Sequence, residues 1–454
     1  LVSAPDKDGH VANLFTEIWE MEDLRKRVLF TLGMLGVYRL GIFIPAPGID
    51  RTVLGKWFED QGHTLFGLYD MFSGGALQQF SVFTLGIMPY ISASIVMQLL
   101  AEMVPALKRI KDEGQAGKNR ITQYTRYLML VVACVQSFTM AITLEDMRFG
   151  TSGVVIEPGL GFRLLTMLTM TSGSCFIMWL GEQITERGIG NGSSVLICAG
   201  IIDRIPAGAN QLRELVRLNE INLLQATLLL CFMFLVVYSI VFVERGQRRI
   251  PLQYAKRVLG RKVYEGQTTY LPLKVNLAGT VPPIFASSVL MIPSSLTSMA
   301  NNIALQWLAG AFYPGRWLYN LTYVALIAFF AFFYTALTFN PEDVAENIKK
   351  QGGYIPRVRP GKETAAYIDH LVTRLTSGGA VYLSVLCVLP SLLVATFNVP
   401  FYFGGTGLLI IVGVTLDTVA QIEAQLSTRH YDGVVAAKGA RGRRQPVGSR
   451  QSGS

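Results

Sequence analysis

The chain is 454 residues long, 51% hydrophobic and only 16% charged. Soluble globular proteins carry about a quarter charged residues, so composition excludes that class and points to a polytopic membrane protein. The formal charge of +9 is spread unevenly along the chain. Five cysteines (Cys134, Cys175, Cys198, Cys231, Cys387) lie singly in apolar stretches. None has CxxC or metal-ligand spacing, so small reduced hydrophobes are expected, with no metal and no cofactor.

In chain order, residues 1–27 are polar and mixed in charge, with no cleavable apolar leader. The first spanning helix is therefore expected to act as its own insertion signal. Because the chain begins without Met, a few residues are expected to precede it. Ten spanning segments come next: Val28–Ile44, Leu77–Leu100, Tyr127–Leu144, Leu164–Gly181, Ser193–Ile205, Ile221–Val243, Leu277–Pro293, Leu318–Phe339, Gly379–Thr396 and Gly405–Leu426. Most approach the ~20 residues that a helix needs to cross ~30 Å of hydrocarbon. The fifth is short, and the seventh holds Pro282, Pro283 and Pro293. Short or broken helices are tolerated where they line a protein-walled cavity. Between the first two spans, Gly62 to Phe72 is apolar but too short to cross. It reads as a re-entrant piece or an interfacial helix.

Cytoplasmic loops are enriched in Lys and Arg, so the alternating loops orient the chain. With the N-terminus inside, 31 of the 40 basic residues fall in inner regions and 8 in outer ones, Arg39 lying within the first span. That bias supports ten spans with both termini cytoplasmic. The inner loop 244–276 holds eight basic residues against two Glu, more than a connector needs, and reads as a docking surface. Five spans stand on either side of 206–220. An odd number per half inverts the second half, and inverted halves commonly enclose a path at their interface.

Several chemistries have no carrier in this sequence. There is no G-x-x-x-x-G-K-[ST] loop, H-E-x-x-H motif or G-x-S-x-G elbow, and the four histidines fall in loops or tails. No catalytic residue is assigned and the chain is not expected to be an enzyme. Gly188-Ile-Gly-Asn-Gly192 comes after no strand and reads as a tight turn. Coupled transporters keep ionisable groups at mid-membrane, whereas here only Arg39 and Asp417 lie deep. Each is open to a packing or interfacial role as well as to a relay. The pairs Ile87/Ile91 and Ile197/Ile201 are spaced i, i+4 and share a helix face, directed to lipid or to the core. Ser-bearing stretches at Met88–Ile95 and Pro283–Ser288 allow close helix contacts that salt bridges do not lock.

Six motifs now coincide in order. They are Met71-Phe-Ser-Gly-Gly-Ala76, Leu85-Gly-Ile-Met-Pro-Tyr-Ile-Ser-Ala-Ser94, Glu186-Arg-Gly-Ile-Gly-Asn-Gly192, Arg248-Arg-Ile-Pro-Leu-Gln-Tyr-Ala-Lys-Arg257, Arg359-Pro-Gly361 and Tyr402-Phe-Gly-Gly-Thr406. Together they resemble the bacterial SecY family, the main subunit of the Sec protein-conducting channel, from about Leu24 to Tyr431. The resemblance implies an all-α membrane protein: ten transmembrane helices in two inverted halves of five, a clamshell around a central pore. The halves would be 28–205 and 221–426, joined by an external loop at 206–220. Residues 1–27 would be a cytoplasmic N-terminal segment and 427–454 a basic, disordered cytoplasmic tail. Gly448–Ser454 has the look of an expression scar.

Carried over by motif, the resemblance implies a pore ring of Ile87, Ile91, Ile197, Ile201, Ile284 and Ile410. A plug over about 63–72 would include Leu65, Phe66, Leu68, Met71 and Phe72. The two faces of a lateral gate would hold Ser92, Ser94, Met97, Phe285, Ser287 and Ser288. The inner loops 244–276 and 340–378 would receive the SecA motor or a ribosome through Arg248, Arg249, Lys256, Arg257, Arg357, Arg359 and Tyr431. SecE and SecG would be partner subunits, with signal sequences, nascent chains and lipid as further partners, in the bacterial inner membrane. One departure stands out: Asn191-Gly-Ser-Ser-Val195 is a more polar start to the fifth span than the family's isoleucine-rich one. The competing reading is an inverted-repeat secondary transporter of a small solute. A third is a membrane anchor for soluble partners, with no path.

Overall fold

The computed structural model describes residues 21–50, 53–55, 73–146, 148–149, 152–218, 222–254, 257–259, 262–264, 268–298, 317–397 and 405–442. The expected plug, Lys256 and the C-terminal residues from 443 lie outside them.

Thirteen helices are described. In the first half they are α1 (Glu22–Ile42), α2 (Met88–Met103), α3 (Pro105–Asp112), α4 (Gln115–Asp146), α5 (Leu160–Arg187), α6 (Gly192–Asp203) and α7 (Ile205–Arg217). The second half holds α8 (Leu223–Glu244), α9 (Val281–Ser298), α10 (Trp317–Thr338), α11 (Pro341–Lys350), α12 (Lys362–Phe397) and α13 (Gly405–Gly442). Among the described residues, six helices are long and apolar enough to cross a membrane: α4, α5, α8, α10, α12 and α13. The bent pair α2–α3 is a seventh candidate. Its 98° bend falls where Pro105 opens α3. A proline there removes a backbone donor and clashes with the preceding turn, so one straight helix cannot run through it. The remaining expected spans are α1, α6 and α9. With 12 residues, α6 is too short to span alone, but it is walled by protein, with Leu196, Ile197 and Ile201 buried. Its polar start is a cap: the Asn191 side chain accepts hydrogen bonds from the Ser193 backbone N–H (3.2 Å) and hydroxyl (2.8 Å). Lipid-facing surface is plain on α8, where Leu223, Leu224, Leu228, Phe234, Leu235, Tyr238 and Phe242 are exposed.

Four stretches differ from expectation. The apolar run predicts a second span from Leu77, but the helix starts at Met88. Leu77–Ile87 is turn backbone, with Gly86 at φ +57° and even Phe80 at +45°. Pro89 in the first turn then fixes where helix can begin. The expected outer loop 206–220 is helical through Arg217 as α7, and the tail expected to lack structure continues α13 to Gly442.

The fourth difference is the inner loops, which are not plain loops. Strand β3 (Gln247–Tyr254) pairs antiparallel with β6 (Thr268–Lys274), and β7 (Gly353–Tyr354) joins β3's other edge. Short strands β4 (Arg257–Leu259) and β5 (Lys262–Tyr264) pair between them, and a two-residue ribbon, β1 (Arg148–Phe149) with β2 (Ser152–Gly153), caps the outer end of α4. In β3 the alternation of buried Ile250 and Leu252 with exposed neighbours presents one face to α11 and α12. That face packs with Leu273, Ile348, Ile355, Ile368 and Val372 in a core separate from the membrane bundle.

Candidate functional site

The six isoleucines converge. Ile87 caps α2 and Ile91 lies one turn on, its N–H bonded to the Ile87 carbonyl at 3.1 Å. Ile197 and Ile201 come from α6, Ile284 from the first turn of α9, and Ile410 from α13. All are buried, none more than 8% exposed, and all belong to one hydrophobic cluster. Each is placed by its own local rule. The i, i+4 spacing stacks the α2 and α6 pairs on single faces. Pro282 and Pro283 start α9 just ahead of Ile284. On α5, Gly181 lies beside the Ile87 tip: a Cβ there would stand 3.6 Å from Ile87 Cδ1, in ordinary contact.

α9 contacts α2 and α4, while α13 contacts α6. The helix carrying Ile91 thus meets the one carrying Ile284, and the helix carrying Ile197 and Ile201 meets the one carrying Ile410. Among the described residues, no side-chain hydrogen bond or ion pair joins α2 to α9. Ser287 and Ser288 both donate to the Ile284 carbonyl of their own helix, at 2.8 and 2.9 Å. Ser94 accepts from Gln98, also on its own helix, at 3.3 Å. Ser92 is half-buried and Met97 buried on α2. Phe285 turns the other way: its ring meets Phe330 and Tyr334 of α10 edge-on, with centroids 5.7 and 6.3 Å away. It packs within the second half.

At the outer end, the root of the expected plug is held. Tyr38 on α1 donates to the Ser73 carbonyl at 3.3 Å, and Gly74 lies against Gly200 of α6. Arg39 forms an ion pair with Asp203 at the end of α6. Asp417 is exposed and pairs with Lys274 at 3.6 Å. Arg39 thus has a partner at the end of a neighbouring helix, whereas the Asp417 pair lies at the surface.

In the loops expected to be cytoplasmic, Arg248 and Arg249 are exposed on β3, and Arg357 and Arg359 are exposed just after β7. The ladder of β3 with β7 brings the two loops into one surface. Arg357 holds φ +68°, and the Arg359 carbonyl accepts from Thr364 at 2.8 Å, fixing the turn before α12. Arg257 lies in β4 and Tyr431 in α13.

Sequence reading passed over Tyr38 and the α5 trio Ile177, Leu180 and Ile184, which back α6 in the central cluster. Their three- and four-residue spacing is a helical signal. It also passed over Glu244 and Asn276, hydrogen-bonded at 2.7 Å where the inner loop meets the bundle. The alternation Ile250, Leu252, Tyr254 would have found β3.

This geometry has a chemical consequence. The cluster offers branched aliphatics to whatever lies between the halves. Branched aliphatic side chains carry no hydrogen-bonding group, so the cluster holds its neighbours by apolar contact alone.

The SecY family model matches residues 81–419. The protein translocase subunit SecY of Escherichia coli K12 is 48% identical over 414 residues, covering 90% of this chain and 93% of the relative. That of Aquifex aeolicus is 44% identical, covering 92% and 98%. Among solved structures, a SecY protein studied for its plug domain superposes with a TM-score of 0.63 at 17% identity, covering 88% of this chain and 92% of that one. The channel of a canine ribosome–channel complex from the endoplasmic reticulum gives 0.61 at 16%, with the same coverage. At those identities the structural likeness bears on the fold. A family model spanning most of the chain and relatives near half-identical over its length bear on descent: this multi-pass, largely helical membrane protein belongs to the SecY family.

Proposed function

We propose that the chain is the central subunit of a protein-conducting channel. It would pass unfolded secretory chains across the bacterial inner membrane and release apolar segments sideways into lipid. One observation carries this reading: six isoleucines from four helices, drawn from both halves, meet in one buried cluster. In this reading the ring closes the waist, and residues 63–72 close the outer funnel. The seam between α2 and α9 parts to admit a signal sequence. Transfer of ~20 apolar residues from water to hydrocarbon drives that exit, at ~0.8 kcal/mol per buried CH₂. This subunit would then need no ATP chemistry of its own. Ten spans in inverted halves with both termini cytoplasmic fit the basic-residue bias, with α1, α6 and α9 completing the helices that are long enough alone.

Force would come from outside the bilayer. The exposed arginines of the β3–β6–β7 surface suit both the phosphates of ribosomal RNA and acidic protein surfaces. A ribosome or the SecA motor would dock there, with SecE and SecG as further subunits. Arg39 ion-paired at a helix end and Asp417 exposed beside Lys274 do not favour a small-solute transporter. The test is crosslinking from a photoreactive side chain at position 87 or 284 to a stalled secretory chain in the membrane. Crosslinks at both positions are expected, and none at any ring position would overturn the channel reading.

A further inference from the structure

The docking sheet and the gate helix are joined through one side chain. α8 ends at Glu244, and β3 begins three residues later at Gln247. The sheet returns along β6 to Lys274, paired with Gln247. Val275 N–H then bonds to the Gly246 carbonyl at 2.9 Å, closing the root of the hairpin. The next residue is Asn276, only 2% exposed. Its Nδ2 donates to Glu244 Oε1 at 2.7 Å and to the Gly279 carbonyl at 3.0 Å. One amide thus ties the end of α8 to the turn that leads into α9. Its Oδ1 faces α12, where a Cβ on Gly379 would stand 3.6 Å away. Just beyond, Thr280 lies so close to Gly413 of α13 that no Cβ would fit between them.

Two features make this node more than an ordinary buried amide. Both hydrogens of the Asn276 amide are used, so the 276–279 turn has one geometry relative to α8. The segment leading on into α9 is also stiff beyond Gly279: Val281-Pro-Pro283, then Ile284. A tilt of the sheet root therefore reaches the first turn of α9, and Ile284 with it, as a rigid displacement. Without the amide bridge, the same turn could flex at Gly279 and absorb the movement.

We infer that Asn276, held by Glu244, is a positioning residue that transmits load from the docked partner to the gate helix. This rests on the channel reading above, in which the β3–β6 surface docks the motor and α9 lines the gate. Asn276 lies behind the docking face, so its loss should spare docking and impair opening.

The test uses the full complex with its partner subunits in proteoliposomes, SecA as motor and a secretory precursor as cargo. For Asn276→Ala, the translocation rate is expected to fall about fivefold or more while SecA affinity stays within about twofold. Glu244→Gln keeps an acceptor oxygen for Nδ2 and should retain wild-type rate; Glu244→Ala should not. If Asn276→Ala fails to insert, the Glu244 pair decides, because Asn276 then keeps its bond to Gly279. Three results overturn the inference: an unchanged rate in Asn276→Ala, rate and affinity falling together, or Glu244→Gln as impaired as Glu244→Ala. Failure of the channel reading is separate and would show as no translocation by the wild-type complex.

Discussion

Gly74 and Gly200 meet backbone to backbone: a Cβ built on Gly200 would stand 3.2 Å from the Gly74 Cα, and one on Gly74 would stand 2.9 Å from the Gly200 Cα. This contact, beside the Tyr38–Ser73 hydrogen bond, seats the chain that leads out of the expected plug against α6. Gly74 also holds φ +68°. Gly74→Ala therefore meets both strain and overlap, at a cost of about 1–3 kcal/mol. Thermal unfolding in detergent should show the loss, with Gly200→Ala milder. Proteoliposomes bearing either variant should leak ions at rest more than wild type.

The ring makes a sharper demand. Ile410 is fully buried and Ile87 nearly so. Asn at either position puts an amide into the apolar waist and invites water. We expect Ile87→Asn and Ile410→Asn to pass precursors with defective signal sequences, or to raise resting conductance. A translocation assay with such a precursor, alongside planar-bilayer recording, checks both. Unchanged stringency together with unchanged conductance would count against the constriction.

Arg357 allows two readouts to be set against each other. Its left-handed backbone disfavours a side chain, so Arg357→Gly should stabilise the turn by about 1 kcal/mol. The same change removes an exposed guanidinium from the proposed docking surface. Thermal stability is expected to rise while affinity for the ribosome or SecA falls. A rise in stability with unchanged affinity would remove Arg357 from that surface.

On the outer side, Glu145 receives Arg163 through Nε at 2.9 Å and Nη2 at 2.6 Å, and the Gly159 N–H at 3.0 Å. Its side chain is only 9% exposed. The charge left behind, Arg163, is 32% exposed and partly screened by solvent, so Glu145→Ala should destabilise by about 1–2 kcal/mol, and Glu145→Gln by less. Denaturation in detergent at fixed lipid content measures the difference.

The long apolar helices were the readily legible part of this fold. α5, α8 and α10 enclose or nearly coincide with the apolar runs, because hydrocarbon forces backbone bonds to be satisfied within each helix. The ring isoleucines could be named through the resemblance, but spacing alone gave only a shared face on α2 and α6. Which neighbour that face meets depends on contacts between distant helices. The same limit hid the direction of Phe285, whose aromatic partners lie far along the chain in α10. Apolarity misled at Leu77–Ile87, where positive φ at Phe80 and Gly86, with Pro89 just beyond, outweighs hydrophobic content. Charge masked the inner sheet: the Arg residues that mark the loop as cytoplasmic also obscure the alternation of Ile250 and Leu252.

The edge pairing of β3 with β7 bears on biosynthesis. Gln253 finds Tyr354, and Tyr254 finds Gly353, only after about a hundred further residues have been made. Until then β3 has one side covered by β6 and the other bare, a template for errant strand addition. During that interval helices α9 and α10 must be threaded into lipid. Completion of the sheet is thus a natural checkpoint: it reports that the intervening membrane segments have been delivered and the chain has returned to the same compartment.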